Sequence, residues 1–400
     1  MLCFFKLLVF FIKFNDMIKY LRYYISTLTL ILGIYLCLAV QNGPTILFLG
    51  FSLLIILGDI LISEEDSEFE YSYPFLLNLP MYINLPLLVL FLSMTISLLS
   101  QSASQNNPLF SYLNINFNKI GQLYNLFDKV SLVAISSLFI GIMGTVPGHE
   151  LVHRKKNKFD MFIGNWLLSL SWDCAFALEH VYGHHKNVGL QTDPATAKRG
   201  ENIYAFILRA IVKEQKDAWR IFLNQNRKNK FLFLSMKNKM LIGYFRSLSI
   251  TLLAYYIGGL SGMIIFLLCA FIAKSLLEVI NYTEHYGLVR VPGEKVYPHH
   301  SWNSNSVMSS IYLYNVTRHS SHHEKSSLKY WELHSYKDAP MMPYGYLSML
   351  YLAIFLPPVF HKLMSKKLIG WDNKFATKKE RILAAKQNAR SGLPLLQNNV

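Results

Sequence analysis

The chain has 400 residues, 52% hydrophobic and only 16% charged, with a formal net charge of +15. Soluble chains carry roughly 25% charged residues, and the apolar residues here are bunched into long runs, which excludes a string of soluble domains and indicates a membrane protein. The basic residues stand between apolar runs rather than in a patch interleaved with aromatics, so they orient a chain in a bilayer and leave no footprint for a nucleic acid.

The chain opens with apolar runs broken by Lys6, Lys13, Lys19 and Arg22. Residues 1–21 read as a short leader without a small-residue cleavage site, and Met17 is an alternative start. Six spanning helices are expected over 22–40, 44–62, 82–100, 130–148, 243–257 and 261–280. The first two form a hairpin across Gln41-Asn42-Gly43-Pro44, and the last two across Gly258-Gly259. Residues 163–178 and 345–360 are apolar but interrupted, and are expected to pack against the bundle rather than cross. With the N-terminus inside, the loops left outside contain only Lys119 and Lys129, whereas 151–246 contains seventeen Lys and Arg, so that stretch belongs to the cytoplasmic face. Residues 22–375 then make one membrane-embedded, all-α domain, and 376–400 a loose polar tail. The cysteines Cys3, Cys37, Cys174 and Cys269 show no paired spacing, which argues against a cysteine metal site or a fused electron carrier.

Nine of the thirteen histidines fall in four clusters that this topology places on one membrane face. His149-Glu150-Leu151-Val152-His153 stands at the inner end of the fourth span, where Pro147-Gly148 breaks the apolar run. Glu179-His180-Val181-Tyr182-Gly183-His184-His185 follows. Asn281-Tyr282-Thr283-Glu284-His285-Tyr286-Gly287-Leu288 stands at the inner end of the sixth span, and Arg318-His319-Ser320-Ser321-His322-His323 comes last. Spacing of four residues puts His149 with His153, His180 with His184, and His319 with His323 on common helix faces, with His322 on the side of the last pair. One ion takes about four to six ligands, so nine imidazoles suit two ions, and imidazole alone is compatible with iron, copper, zinc or nickel. His149-Glu150-x-x-His153 is also a zinc-protease pattern, but that reading needs one further ligand and leaves six histidines unexplained. His299, His300, His334 and His361 read as non-ligands. Glu150, Glu179, Asp193 and Glu284 are expected to accept the outer ring N–H of ligand histidines, which fixes the tautomer; the alternative is pairing with Arg154, Lys186, Arg318 or a helix end.

In this order the four clusters resemble the integral-membrane alkane 1-monooxygenase (alkane hydroxylase) family. The resemblance extends to Asp193-Pro194-Ala195-Thr196-Ala197, to Pro298 through Asn305, to Asp338-Ala339-Pro340, and more weakly to Gly58-Asp59, covering most of residues 20–375. The cluster around His285 is the most specific, since desaturases share the other boxes. Ser321 stands where the family has Asp, and Asn315-Val316-Thr317 replaces its Leu-Gln before Arg318. The resemblance implies a non-haem di-iron centre of two Fe ions held by the nine histidines. It further implies O2-dependent conversion of the terminal methyl of medium- or long-chain n-alkanes to a primary alcohol, with electrons from rubredoxin and rubredoxin reductase, in a bacterial inner (cytoplasmic) membrane. The alternatives are a related hydroxylase or desaturase acting on alkylbenzene methyls or fatty acyl chains, and a non-catalytic membrane metal-binding protein. An acidic rubredoxin would meet the basic stretch 151–246, whose charges topology alone also explains. An alkane offers no polar handle, so chain length would be gauged by bulk; Phe51, eight residues before Asp59, is the candidate gauge, with ordinary packing as the alternative.

Overall fold

The computed structural model describes residues 17–100, 110, 115–227, 235, 237–336 and 338–399. Among them the backbone is helical or irregular, and the only strand-like pairing is one bridge, Asn303 to Met341. Five helices are long and apolar enough to cross a membrane: α1 (Met17–Ala39), α2 (Gly43–Leu61), α3 (Phe75–Leu99), α4 (Leu126–His153) and a fifth, Lys239–His285. Their outer faces expose large apolar side chains such as Leu28, Ile31, Leu53, Leu57, Leu252 and Ile264, which is the surface a lipid environment needs and water penalises.

The tight turn between α1 and α2 needs its glycine. A Cβ on Gly43 would lie 1.9 Å from the Leu36 carbonyl oxygen, and Pro44 at the first turn of α2 suits a position whose N–H has no partner. Pro80 in α3 and Pro147 in α4 are tolerated because the carbonyls they free are met by side chains. Tyr24 Oη donates to the Leu76 carbonyl, four residues before Pro80, at 2.8 Å, and Asn84 Nδ2 reaches the Met143 carbonyl, four before Pro147, at 3.4 Å. A π turn at Ile140–Thr145 takes up the strain just ahead of the first histidine pair. Helix α4 therefore runs through Pro147-Gly148 to His153 and does not end there.

Between the spans lie α5 (Lys158–Ser169), α6 (176–187) and the amphipathic α7 (Ile203–Gln225). The fifth long helix, α8 (Lys239–His285), has 47 residues, or about 70 Å of α-helix against a hydrocarbon core of about 30 Å. It does not run straight. Gly259 has φ 59° and ψ −152°, and a Cβ on Gly262 would lie 2.5 Å from the carbonyl oxygen of Ala254. Residues eight apart in an unbroken helix are about 12 Å apart, so the two arms fold back on each other at Gly258-Gly259. The six expected spans fall on five helices long and apolar enough to cross a membrane, the fifth of them folded back on itself.

After α8 come the short α9 (Val307–Tyr312) and α10 (His319–Glu324), then α11 (Tyr346–Phe355), α12 (Pro357–Lys374) and α13 (Lys378–Arg390). Asp59, at the end of α2, gathers this region: the Oγ of Ser306, the N and Oγ of Ser309 and the N and Oγ of Ser348 all donate to its buried carboxylate.

Of the expected leader, 1–16 lie outside the described residues, and 17–21 are part of α1. The expected loose tail is helix α13, whose Thr377 and Glu380 form a capping box, and Glu380 is buried. Its anchors are ion pairs to residues far away in the chain, described below.

Candidate metal centre

The C-terminal ends of α4 and α8 bring His149, His153 and His285 together, and α6 and α10 close over them with the other six histidines. The nine form two converging groups. His149, His153, His180, His185 and His322 make the first, His184, His285, His319 and His323 the second; within each, one ring nitrogen per residue lies within 4.8 Å of every other. The groups adjoin, with the His185 and His323 rings 4.5 Å apart between centroids.

This partition corrects the α-helical expectation. Residues His180–His184 form a π turn, so His180 shares a face with His185, five residues on, and not with His184. In α10, His322 turns to the first group while His319 and His323 serve the second.

Several Nε2 atoms face each other at close range: His149 to His322 at 3.0 Å, His180 to His185 at 3.1 Å, His285 to His319 at 3.1 Å and His319 to His323 at 2.9 Å. Two imidazoles bound to one ion at about 2.1 Å are about 3.0 Å apart at a right angle and about 3.4 Å apart at the tetrahedral angle. The observed spacings fit right-angled neighbours of a five- or six-coordinate shell. Buried Nε2 atoms of His153 and His184 have no hydrogen-bond partner, a costly arrangement unless an ion takes the lone pair. Burial, then the neighbouring imidazoles, keep His180, His185, His319 and His323 well below the ordinary histidine pKa, and His322 falls to about 3. These shifts favour the neutral ring that metal ligation requires.

The four carboxylates divide. Asp193 accepts from His184 Nδ1 at 3.0 Å and from Thr196 Oγ1 at 2.6 Å. Burial alone would raise its pKa, but His184 and Thr196 outweigh it and hold it low, so Asp193 fixes the tautomer that points Nε2 at the second group. Asp193→Ala is expected to weaken metal retention about 10- to 100-fold, read by chelator competition; retention equal to the parent's would contradict this role. Glu150 bonds no histidine: it accepts from Arg154 at 2.6 Å and from the Tyr330 N–H at 3.3 Å, which pins the end of α4 to the 330 region. Glu179 also bonds no histidine. Its Oε1 is buried without a partner, and burial, then Asp193 and Asp217, push its pKa well up. Glu284 meets a histidine ring, its Oε2 3.3 Å from His319 Nε2, and its Oε1 is buried without a partner. Among the described residues Arg318 forms no ion pair with an acid; it donates to the carbonyls of Leu333 and Ser67.

The outer nitrogen of His285 donates to the His300 carbonyl at 3.2 Å. A third cluster, His299, His300 and Glu380, also lies within ligand reach, but its protons are already placed. The Tyr297 N–H donates to His300 Nδ1 at 2.9 Å, so Nε2 carries the ring proton and donates to Glu380 at 2.7 Å. No lone pair of His300 faces an ion there. His334 meets Glu68 and His361 meets Tyr286 Oη, both away from the two groups.

Sequence reasoning missed a buried hub beside the centre. Lys274 Nζ lies 2.7 Å from Asp173, 2.7 Å from Glu214 and 2.6 Å from Glu278, and ties α7 and the 170–175 turn to the second arm of α8. Its signal is a lysine inside an apolar run with an acid four residues on. Phe51 is buried, edge-on to Phe139 at 5.5 Å and to Tyr312 at 5.3 Å.

Comparison with known proteins adds to this geometry. The family model described as fatty acid desaturase matches residues 129–353. Alkane 1-monooxygenase 1 of Pseudomonas aeruginosa is 36% identical over 234 residues, 57% of this chain and 61% of that protein. Alkane 1-monooxygenase of Acinetobacter baylyi is 32% identical over 282 residues, 66% of this chain and 68% of that protein. The xylene/toluene monooxygenase hydroxylase component XylM of Pseudomonas putida is 28% identical over 381 residues, 94% of this chain and 96% of that protein. The chain thus spans about three-fifths of the length of the first alkane monooxygenase it matches, and nearly all of XylM.

Proposed function

This chain belongs to the fatty acid desaturase family, alongside the alkane 1-monooxygenases it matches, and from that premise we propose that it is a membrane monooxygenase that hydroxylates the terminal methyl of medium- to long-chain n-alkanes. The observation that carries the reading is the pair of converging imidazole groups under an apolar bundle. The five-histidine and four-histidine groups would each hold one iron ion. When bound, the ions supply reductive activation of O2 and transfer of one oxygen atom to an unactivated C–H bond. Alkane, O2, two electrons and two protons give the primary alcohol and water.

The chain's own part is positioning and exclusion. Helices α4 and α8 are rigid supports for His149, His153 and His285, and the nine rings are buried or half-buried, which keeps bulk water from the reacting carbon. The substrate enters from lipid, since an alkane partitions into the bilayer. Six crossings, counting both arms of α8, put all nine histidines at the cytoplasmic face. Electrons come from a rubredoxin and its reductase. Arg154, Arg199 and Arg246 of the basic stretch are used inside the fold, while Lys155, Lys156, Lys158, Lys186, Lys198 and Lys216 remain exposed to steer an acidic carrier.

Phe51 closes the apolar interior against Phe139 and Tyr312 and sets the accepted chain length. Phe51→Leu is expected to shift the product profile toward longer alkanes in a comparison of chain lengths; an unchanged profile would end that assignment. A second reading rests on the near full-length match to XylM: the methyl group of an alkylbenzene as substrate. Turnover of octane, hexadecane, xylene and a fatty acid under 18O2 tests both. Labelled 1-alkanols support the alkane reading, labelled benzylic alcohol alone supports the second, and no labelled alcohol from any of them contradicts both.

A further inference from the structure

The C-terminal helices lie beyond the stretch 129–353 that matches the family model, yet they brace the four-histidine group. His285 ends α8, and the chain then reverses at Gly287, whose φ is +70°. Each side of that reversal is tied to residues after 357. Tyr286 Oη meets His361 Nδ1 at 2.6 Å. The Gly287 carbonyl accepts from Arg199 Nε at 2.8 Å, and the same guanidinium is held by both oxygens of Asp372, at 2.6 and 2.7 Å, and by Asn388 at 2.7 Å. Across from it, the 298–300 turn carries the carbonyl that receives the His285 Nδ1 proton. That turn is fixed from α12 by Trp371 Nε1 on the His299 carbonyl at 2.6 Å, and from α13 by Glu380 on His300 Nε2 at 2.7 Å.

The five-histidine group has no such direct tie; its one link to that turn runs through α10, where Ser320 Oγ donates to the Pro298 carbonyl at 2.5 Å. Among the described residues, no hydrogen bond runs from 357–399 to His149, His153, His180, His185 or His322. His149, His153, His180 and His185 are braced by the helices α4 and α6 and the Glu150–Arg154 pair, and His322 is carried by α10. Partners behind a ligand's outer nitrogen typically change metal affinity 10- to 100-fold when lost.

We propose that α12 and α13, through Asp372 on Arg199 and Glu380 on His300, position His285, and that their docking decides whether the four-histidine group holds its ion while the five-histidine group fills independently. Glu380 and Asp372 are positioning residues. The inference rests on the two-ion reading above, and its test separates the two.

The test uses the full-length protein purified in detergent, with metal per chain and the Mössbauer spectrum read together. The parent is expected to hold two irons in one coupled pair. Glu380→Ala combined with Asp372→Ala is expected to hold one, with the coupled signature replaced by that of an isolated ion. Glu380→Gln keeps an acceptor for His300 Nε2 and is expected to return the count to two, and exposed Lys379→Ala is expected to change nothing. Two ions with unchanged coupling in the double variant would overturn the inference, as would loss of both ions together. A parent with fewer than two irons would instead overturn the two-ion reading on which it stands.

Discussion

Replacing His180 or His319 with alanine is expected to abolish hydroxylation, a fall well beyond about 100-fold, because each change removes a ligand and not merely a residue behind one. The two variants probe different groups. His180 belongs to the five-histidine group and His319 to the four-histidine group, so each is expected to cost one ion while the other group keeps its own. Alcohol formation with electrons supplied, together with iron per chain, reads both effects. His319 has the larger local consequence, since its Nε2 lies 3.1 Å from that of His285 and 2.9 Å from that of His323. Its loss leaves two rings without the neighbour that completes their side of the shell. Activity surviving either substitution would break the account of two ions acting as one centre.

Lys274→Met is expected to be the most destabilising single change away from the histidines. The ammonium lies among three buried carboxylates, and removing one partner of a buried charge set typically costs about 3–5 kcal/mol. Burial raises the pKa of Asp173 and Glu214, so part of the cost is relieved by protonation once the lysine is gone. The variant should melt at a lower temperature than the parent in the same detergent, and the deficit should shrink as pH is lowered and the orphaned acids take up protons. A melting temperature equal to the parent's across that range would show that the hub does not hold α7 against α8.

The parts of this molecule that are legible in the sequence are those written locally. Apolar runs mark α1 to α4 and both arms of α8, and Gly258-Gly259 marks the fold-back, because a glycine pair between two such runs leaves the backbone free to reach the conformation of Gly259. The nine histidines stand out because each cluster is compact. The division of those histidines between two groups is not legible. It depends on a π turn at His180–His184, a change of hydrogen-bond register that moves His184 and His185 to opposite groups without altering composition. The carboxylates fail for a related reason: Glu150 has an arginine four residues on, which competes with any histidine and wins at 2.6 Å. Asp193 has no such neighbour and bonds His184. The docked C-terminal helices are hidden because α13 buries few large apolar side chains. Its attachment runs through Arg199 and His300, residues more than 70 positions away.

Iron content of the purified full-length chain tests the central claim most directly, with zinc measured in the same sample. The account predicts two irons per chain, held until a strong chelator or the loss of a ligand histidine removes them. One metal ion per chain, or zinc in place of iron, would contradict it.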